Sequence, residues 1–314
     1  MTTQNRPLVE KLLTEVSTKY EPYGYISEKI LPTITVKQTA GKIGGYQMPK
    51  TGPDSGYYLH SGDGEYQRVT QTAKTLTDYV LQKNAIGAVI TEEDFANVED
   101  PFEARTDTTE ELTELIWADK EKSLANFLND NANYSASNTS ALAGTAQYND
   151  LSNSKPLEDA AVAREAIRSK TGMTPNIAIM SGEVYDYLRA NQQLRAAFGA
   201  KYSLNGRLDA QSLALALDVE EVLIGEAIAD FAVEGQPSDI RSIWGKTVIY
   251  AVAPRAARRK QITLGYRVQK NTPRRITRVN LQDPVGAEKI LMDDWYQQKI
   301  INIDAAYLYT DAIA

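Results

Sequence analysis

Residues 100–131 read DPFEARTDTTEELTELIWADKEKSLANFLNDN, and nothing after Pro101 in that stretch can stop a helix once it has begun. Asp100 is a good capping residue, Pro101 suits a first turn where its missing N–H costs nothing, and Glu103 has capping-box spacing. Neither Pro nor Gly recurs before Asn131. At 1.5 Å per residue the helix would run about 45 Å, roughly twice the usual length. Leu112, Leu115, Ile116, Leu124, Phe127 and Leu128 give it an apolar stripe. A helix of this length is a strut.

Upstream, Thr75–Thr91 (TLTDYVLQKNAIGAVIT) is β-branched and partly alternating, which predicts a strand entering the core. Residues 37–77 hold Gly41, Gly44, Gly45, Gly52, Gly56, Gly62 and Gly64, with Pro49 and Pro53. Glycine at that density excludes helix and predicts turns linking short strands. Tyr46, Tyr57, Tyr58 and Tyr66 lie among them and need a surface to cover. The segment therefore reads either as a mobile hairpin or, the reading favoured here, as an extended arm that orders on a partner. Residues 1–36 combine helical spacing (Leu8, Leu12, Leu13, Val16) with Tyr20, Pro22, Tyr23, Tyr25 and Pro32, so a short helix leading into a second arm is expected.

Downstream, residues 129–155 are rich in Asn, Ser and Ala and predict a loop at a domain boundary. From 156 a compact α/β pattern begins. A helix runs from Pro156 to Gly172, a buried strand covers 176–180, and helices follow near 182–198 and 209–217. Strands are expected in VEEVLIGEAI, KTVIYAVAP and ITLGYRV, and a long terminal one in KIINIDAAYLYTDAI.

The 314 residues contain no cysteine and one histidine, His60, which removes disulfides, thiolate chemistry and His-rich metal sites. His60 lies in a Gly/Tyr-rich loop, where a surface role is expected. The N-terminus has no apolar signal-peptide core, and apolar runs such as AIGAVI fall far short of a membrane span, so a soluble, intracellular protein without membrane contact is expected. Gly245-Lys246-Thr247 ends like a phosphate-binding loop, but Ile240 stands where its first glycine belongs. Asp293-Asp294 and Glu92-Glu93-Asp94 could serve as paired acids or magnesium ligands, yet adjacent carboxylates are usually solvated.

Net charge is −7, but its distribution is uneven. Arg255, Arg258, Arg259, Lys260, Arg267, Lys270, Arg274, Arg275 and Arg278 follow one another with no acid between. Glu92, Glu93, Asp94, Glu99, Asp100, Glu103, Asp107, Glu110, Glu111 and Glu114 are opposed only by Arg105. Each run repels itself if unpaired. Three readings stay open: two solvated faces, complementary patches between subunits, or a basic run facing nucleic acid through nonspecific phosphate contacts.

Six segments in this order resemble the major capsid proteins of tailed bacteriophages, the Hong Kong 97 fold. They are ISEKILPTITVKQTAGKIGGY, GEYQRVTQTAKTLTDYVLQKNAIGAVITEEDFANVEDPFEA, TPNIAIMSGEVYDYLRANQQLRAAF, VEEVLIGEAIADFA, SIWGKTVIYAVAP and IINIDAAYLYTDAI. The resemblance implies an α+β chain with an N-terminal arm (1–36), an extended loop (37–77), a peripheral domain (78–155) with a spine helix near 101–131, an axial α/β domain (156–255), and strands returning through both (256–314). It further implies hexamers and pentamers closing into an icosahedral shell around double-stranded DNA, in a virion assembled in the host cytoplasm. Portal, a separate scaffolding protein and a decoration protein are the implied partners, with no cofactor and no enzymatic activity. The lysine, asparagine and glutamate of the isopeptide crosslink found in some members have no evident counterpart, so closure is expected to be non-covalent. Encapsulin-type nanocompartments share the fold and are the nearest alternative; a carboxylate-dependent hydrolase built on Asp293, Asp294 or the 92–94 cluster is a remote one.

Overall fold

The helix expected from residue 101 forms as α4, Pro101–Asn129, 29 residues and about 44 Å long. Its cap is simpler than its sequence suggests. The Asp100 carboxylate accepts the Phe102 N–H (2.8 Å), while the full capping box lies one element earlier, between Thr91 and Asp94 at the start of α3 (Glu92–Ala96). The computed structural model describes residues 8–20, 22–45, 75–98, 100–197, 208–232, 235–256, 262–271, 274–281 and 286–314.

Two sheets are strung along α4. The first contains β1 (Leu8–Val9), β2 (Thr33–Val36), β5 (Gln82–Ile90), β12 (Gly265–Lys270), β13 (Arg275–Asn280) and β14 (Glu288–Ile300), in the order β1-β13-β14-β12-β2 with β5 along the other edge of β14. β14 is its axis. β5 pairs with Glu288–Tyr296 on one edge. On the other, β13 pairs with Glu288–Asp293 and β12 with Tyr296–Ile300. Leu112 and Ile116 of α4 pack on this sheet beside Ile276, Ile290 and Met292, and Leu13 of α1 (Lys11–Lys19) joins them.

The second sheet contains β6 (Thr139–Ala141), β7 (Ile177–Ser181), β8 (Glu221–Gly225), β11 (Val248–Ala251) and β15 (Ala306–Thr310), in the order β6-β15-β11-β7-β8. β7 and β11 are buried at every residue, as expected of strands covered on both faces. Against them lie α5 (Pro156–Thr171), α6 (Gly182–Ala190), α7 (Gln192–Ala197) and α8 (Ala210–Leu217). α5 stops at Gly172, whose φ of +70° is the left-handed cap a glycine adopts without strain. Leu124, Ala125 and Leu128, from the far end of α4, belong to this second core. Each Leu or Ile fully buried in either core contributes about 1.5–3 kcal/mol.

Two hairpins stand apart from the sheets: β3 (Ala40–Gly45) with β4 (Thr75–Val80), and β9 (Ile228–Asp230) with β10 (Ile240–Ser242). α2 (Ser27–Ile30) is a single turn beside α4.

Several expectations need correction. Leu8 lies in β1 rather than in the first helix, and Leu12 is 64% exposed. The single strand expected over 75–91 breaks at Leu81, whose N–H turns to Thr39 O. Asn191 divides the 182–198 helix: its side chain accepts the Gln193 and Leu194 N–H groups and so caps α7. β6 emerges from the loop expected over 129–155 and pairs with β15. The long terminal strand is two, the end of β14 and then β15, on different sheets. Leu115 is 49% exposed and off the stripe, whereas Trp117, Lys120 and Glu121 are on it.

Candidate assembly interfaces and the charged joint

Tyr46, Tyr57, Tyr58 and Tyr66 lie outside the described residues, but the root of their segment is well defined. Gly45 pairs with Thr75, so the described chain ends and resumes side by side at these two residues. Ile43, Tyr79 and Leu81 pack that hairpin onto Tyr266 and Val268 of β12. Gly41 is needed there: a Cβ would come within 2.8–2.9 Å of the Tyr79 ring.

The acidic run divides by role. Asp94 accepts hydrogen bonds from the Thr91 hydroxyl and N–H, which hold its carboxyl below the usual range. Asp100 caps α4. Glu92, Glu93 and Glu103 are exposed, as are Asp107, Glu111 and Glu114 farther along α4, and none of these six has an ion-pair partner among the described residues. Glu99 lies outside the described residues. Arg105 turns away from the run to form a two-point pair with Glu288 of β14 (2.8 and 2.9 Å). That guanidinium is the main reason the Glu288 carboxyl sits below its usual value.

The basic run divides more sharply. Arg258, Arg259 and Lys260 lie outside the described residues. Arg255 is exposed and reaches Glu221 (3.4 Å). Lys270 stacks over the Trp295 ring (5.0 Å). Arg275 pairs with Asp293 (3.2 Å), and Arg278 with Glu10 (2.9 Å) and Glu288 (3.3 Å). Arg274 is buried over Trp117 (5.3 Å), at a φ of +46°. Arg267 is 1% exposed and donates to Ser27 O (2.6 Å). All six of the described cations are thus engaged within the subunit, and they do not form a uniform basic face.

The same holds for Asp293-Asp294, which are not solvated. Asp294 is fully buried, 2.6 Å from the equally buried Lys120 ammonium, and accepts from Gln269 (3.2 Å). Burial pushes the Lys120 pKa down, and nearby Arg267 adds to it, while Asp294 opposes both. One residue on, Glu121 is also fully buried. Its carboxylate accepts the N–H groups of Ile26 (3.1 Å) and Ser27 (2.8 Å) and the Trp244 indole N–H (2.6 Å). α2 has no side-chain cap of its own, so Glu121 caps it from another helix. Trp244 is in turn locked against Gly225, where a Cβ would overlap its ring.

Lys120 and Glu121 were not singled out from the sequence, although a signal was available. Lys120 is four residues from both Ile116 and Leu124, which places it on the buried stripe.

Comparisons with known proteins agree with this architecture. The family model for phage major capsid protein E matches residues 118–258. A major capsid protein of Burkholderia phage BcepMu is 25% identical over 96% of this chain and 95% of its own length. Among solved structures, a phage-related protein from Bordetella bronchiseptica RB50 superposes with a TM-score of 0.75 at 19% identity, covering 98% of each chain. The mature capsid of bacteriophage PhiM1 gives 0.52 at 10% identity, over 93% of this chain and 88% of that one. Together with two sheets strung on one long helix, these matches show the Hong Kong 97-like fold, with residues 118–258 similar to phage major capsid protein E and the whole chain similar to phage major capsid proteins.

Proposed function

We propose that this chain forms the hexamers and pentamers of an icosahedral shell around double-stranded DNA, and that residues 46–74 tie each subunit to its neighbour. The first sheet with α4 serves as the peripheral domain and the second sheet as the axial domain. The observation that carries the reading is the hairpin root at Gly45 and Thr75, fixed to the first sheet with a Gly/Tyr-rich segment between its strands. A segment of that length can reach out at most ~45 Å. In this reading the shell assembles in the host cytoplasm, and a scaffolding protein, a portal and a decoration protein are the candidate partners. An encapsulin-type role shares the fold but has less support, since the family model and curated relatives are phage capsid proteins.

Deleting residues 46–66, which spares β3 and β4, is expected to leave a folded subunit that makes no closed shells. Negative-stain microscopy with size-exclusion chromatography checks this, and normal shells from the deletion would refute the arm's role.

The exposed acids of α4 suggest how neighbours find register. Glu103, Asp107, Glu111 and Glu114 on α4 are proposed to meet Arg255, Arg258, Arg259 and Lys260 of another copy. Arg258→Glu with Arg259→Glu should cut particle yield at least about tenfold, and adding Glu111→Lys with Glu114→Lys should restore it. Reversals that assemble normally but lose packaged DNA would assign the basic segment to nucleic acid instead.

A further inference from the structure

The apolar residues of α4 fall into two groups with different partners. Leu112 and Ile116 belong to the core of the first sheet, and Leu124, Ala125 and Leu128 to that of the second. The turn between the groups carries Lys120 and Glu121, both at 0% exposure. These adjacent residues grip different bodies. Lys120 holds Asp294, on the axial strand β14 of the first sheet. Glu121 holds Trp244, which packs against Gly225 at the end of β8 in the second sheet.

α2 is fastened to the same point from both sides. The Ser27 N–H goes to Glu121 (2.8 Å) and the Ser27 carbonyl to Arg267 of β12 (2.6 Å). Arg267 also pairs with Glu28 (3.4 Å). The grip is on the backbone, since the Ser27 hydroxyl has no hydrogen-bond partner among the described residues. An apolar contact tolerates sliding, whereas buried charge-assisted hydrogen bonds have directional geometry and are costly to leave unmade. A pair of apolar cores meeting on one helix has many permissible angles, and this network selects one.

We propose that Lys120 and Glu121 are positioning residues, forming a charged joint on α4 that fixes the angle between the two sheets and thereby the curvature with which copies meet in the shell. The inference rests on the shell-subunit reading. It predicts that weakening the joint changes particle geometry rather than simply lowering the amount of folded protein.

The test compares Trp244→Phe and Glu121→Gln with the wild type and with Ser27→Ala as a control. Trp244→Phe keeps an aromatic ring near Gly225 and removes the N–H that Glu121 holds, along with the second ring of the buried indole, so it carries the test even where Glu121→Gln does not fold. Cryo-electron microscopy of assembled particles is expected to show a broadened diameter distribution or open sheets for Trp244→Phe, with Ser27→Ala like the wild type. Particles of uniform wild-type diameter from Trp244→Phe would overturn the joint. Absence of particles from the wild type itself would count against the shell reading, and small-angle scattering of subunits would then decide the joint separately. A broadened interatomic-distance distribution in Trp244→Phe supports it, and an unchanged profile overturns it.

Discussion

Asp294→Leu is expected to cost about 3–5 kcal/mol, because it leaves the fully buried Lys120 ammonium without its nearest counter-charge, with only Glu28 at 4.0 Å remaining. A domain of ordinary stability has only about 5–15 kcal/mol to lose, so much of the variant should be unfolded or insoluble. The double variant Lys120→Met, Asp294→Leu should recover most of the loss, since an apolar pair of similar volume carries no desolvation penalty. Urea unfolding of unassembled subunits measures both. The single variant should also show a distinctive pH dependence. Burial already holds the folded-state pKa of Lys120 below 10.5, so the folded chain binds that proton less tightly than the unfolded chain. Its stability should therefore rise as pH climbs from the folded value towards 10.5, and the double variant should lose that rise. A single variant as stable as the wild type at neutral pH would mean that the buried pair is not holding β14 to α4.

Gly265→Ala carries the second large effect. Gly265 pairs with Ile300 where β12 meets the end of β14, and a Cβ would overlap the Lys299 carbonyl oxygen and approach Ile300 Cα to 3.1 Å. Both obstacles are backbone, so no rotamer change relieves them, and the two strands must separate or shear. Overpacking in a closed site costs about 1–3 kcal/mol, and a backbone clash belongs at the top of that range. A lowered melting temperature and poor expression are expected. Gly245→Ala is a useful contrast: that position is open, with nothing within 4 Å of a Cβ, but its φ is +63°, so only backbone strain opposes the change. A Gly265→Ala variant melting with the wild type would show that β14 ends differently from the strand described.

What could be read from the sequence follows the physics of each segment. α4 was legible because Asp100-Pro101 begins it and nothing interrupts it. β7 and β11 were legible as short apolar runs, and α5 because Pro156 and Gly172 bracket it. β14 was missed, although it organises the first sheet. Its Lys289, Asp293, Asp294 and Lys299 break the apolar alternation that marks a strand, and pairing of Asp293 and Asp294 with cations on other elements is invisible along the chain. The charge runs misled for the same reason. Consecutive cations looked like one surface, yet Arg267 and Arg274 point inward while Arg275 and Arg278 are paired across β13 and β14. Spacing along one element locates a face. It does not reveal which residue of a remote element will meet it.

The position of β15 has a consequence for how the subunit is made. β15 lies between β6 and β11, strands that begin at residues 139 and 248, so the second sheet cannot close until Thr310 is free of the ribosome. The first sheet likewise waits for β14. Pairings so distant in sequence fold slowly, because loop-closure entropy must be met before any contact forms. Until those strands have emerged, neither sheet can present a finished surface to another copy. Any contact between copies that uses either sheet therefore has to follow the emergence of β14 and β15.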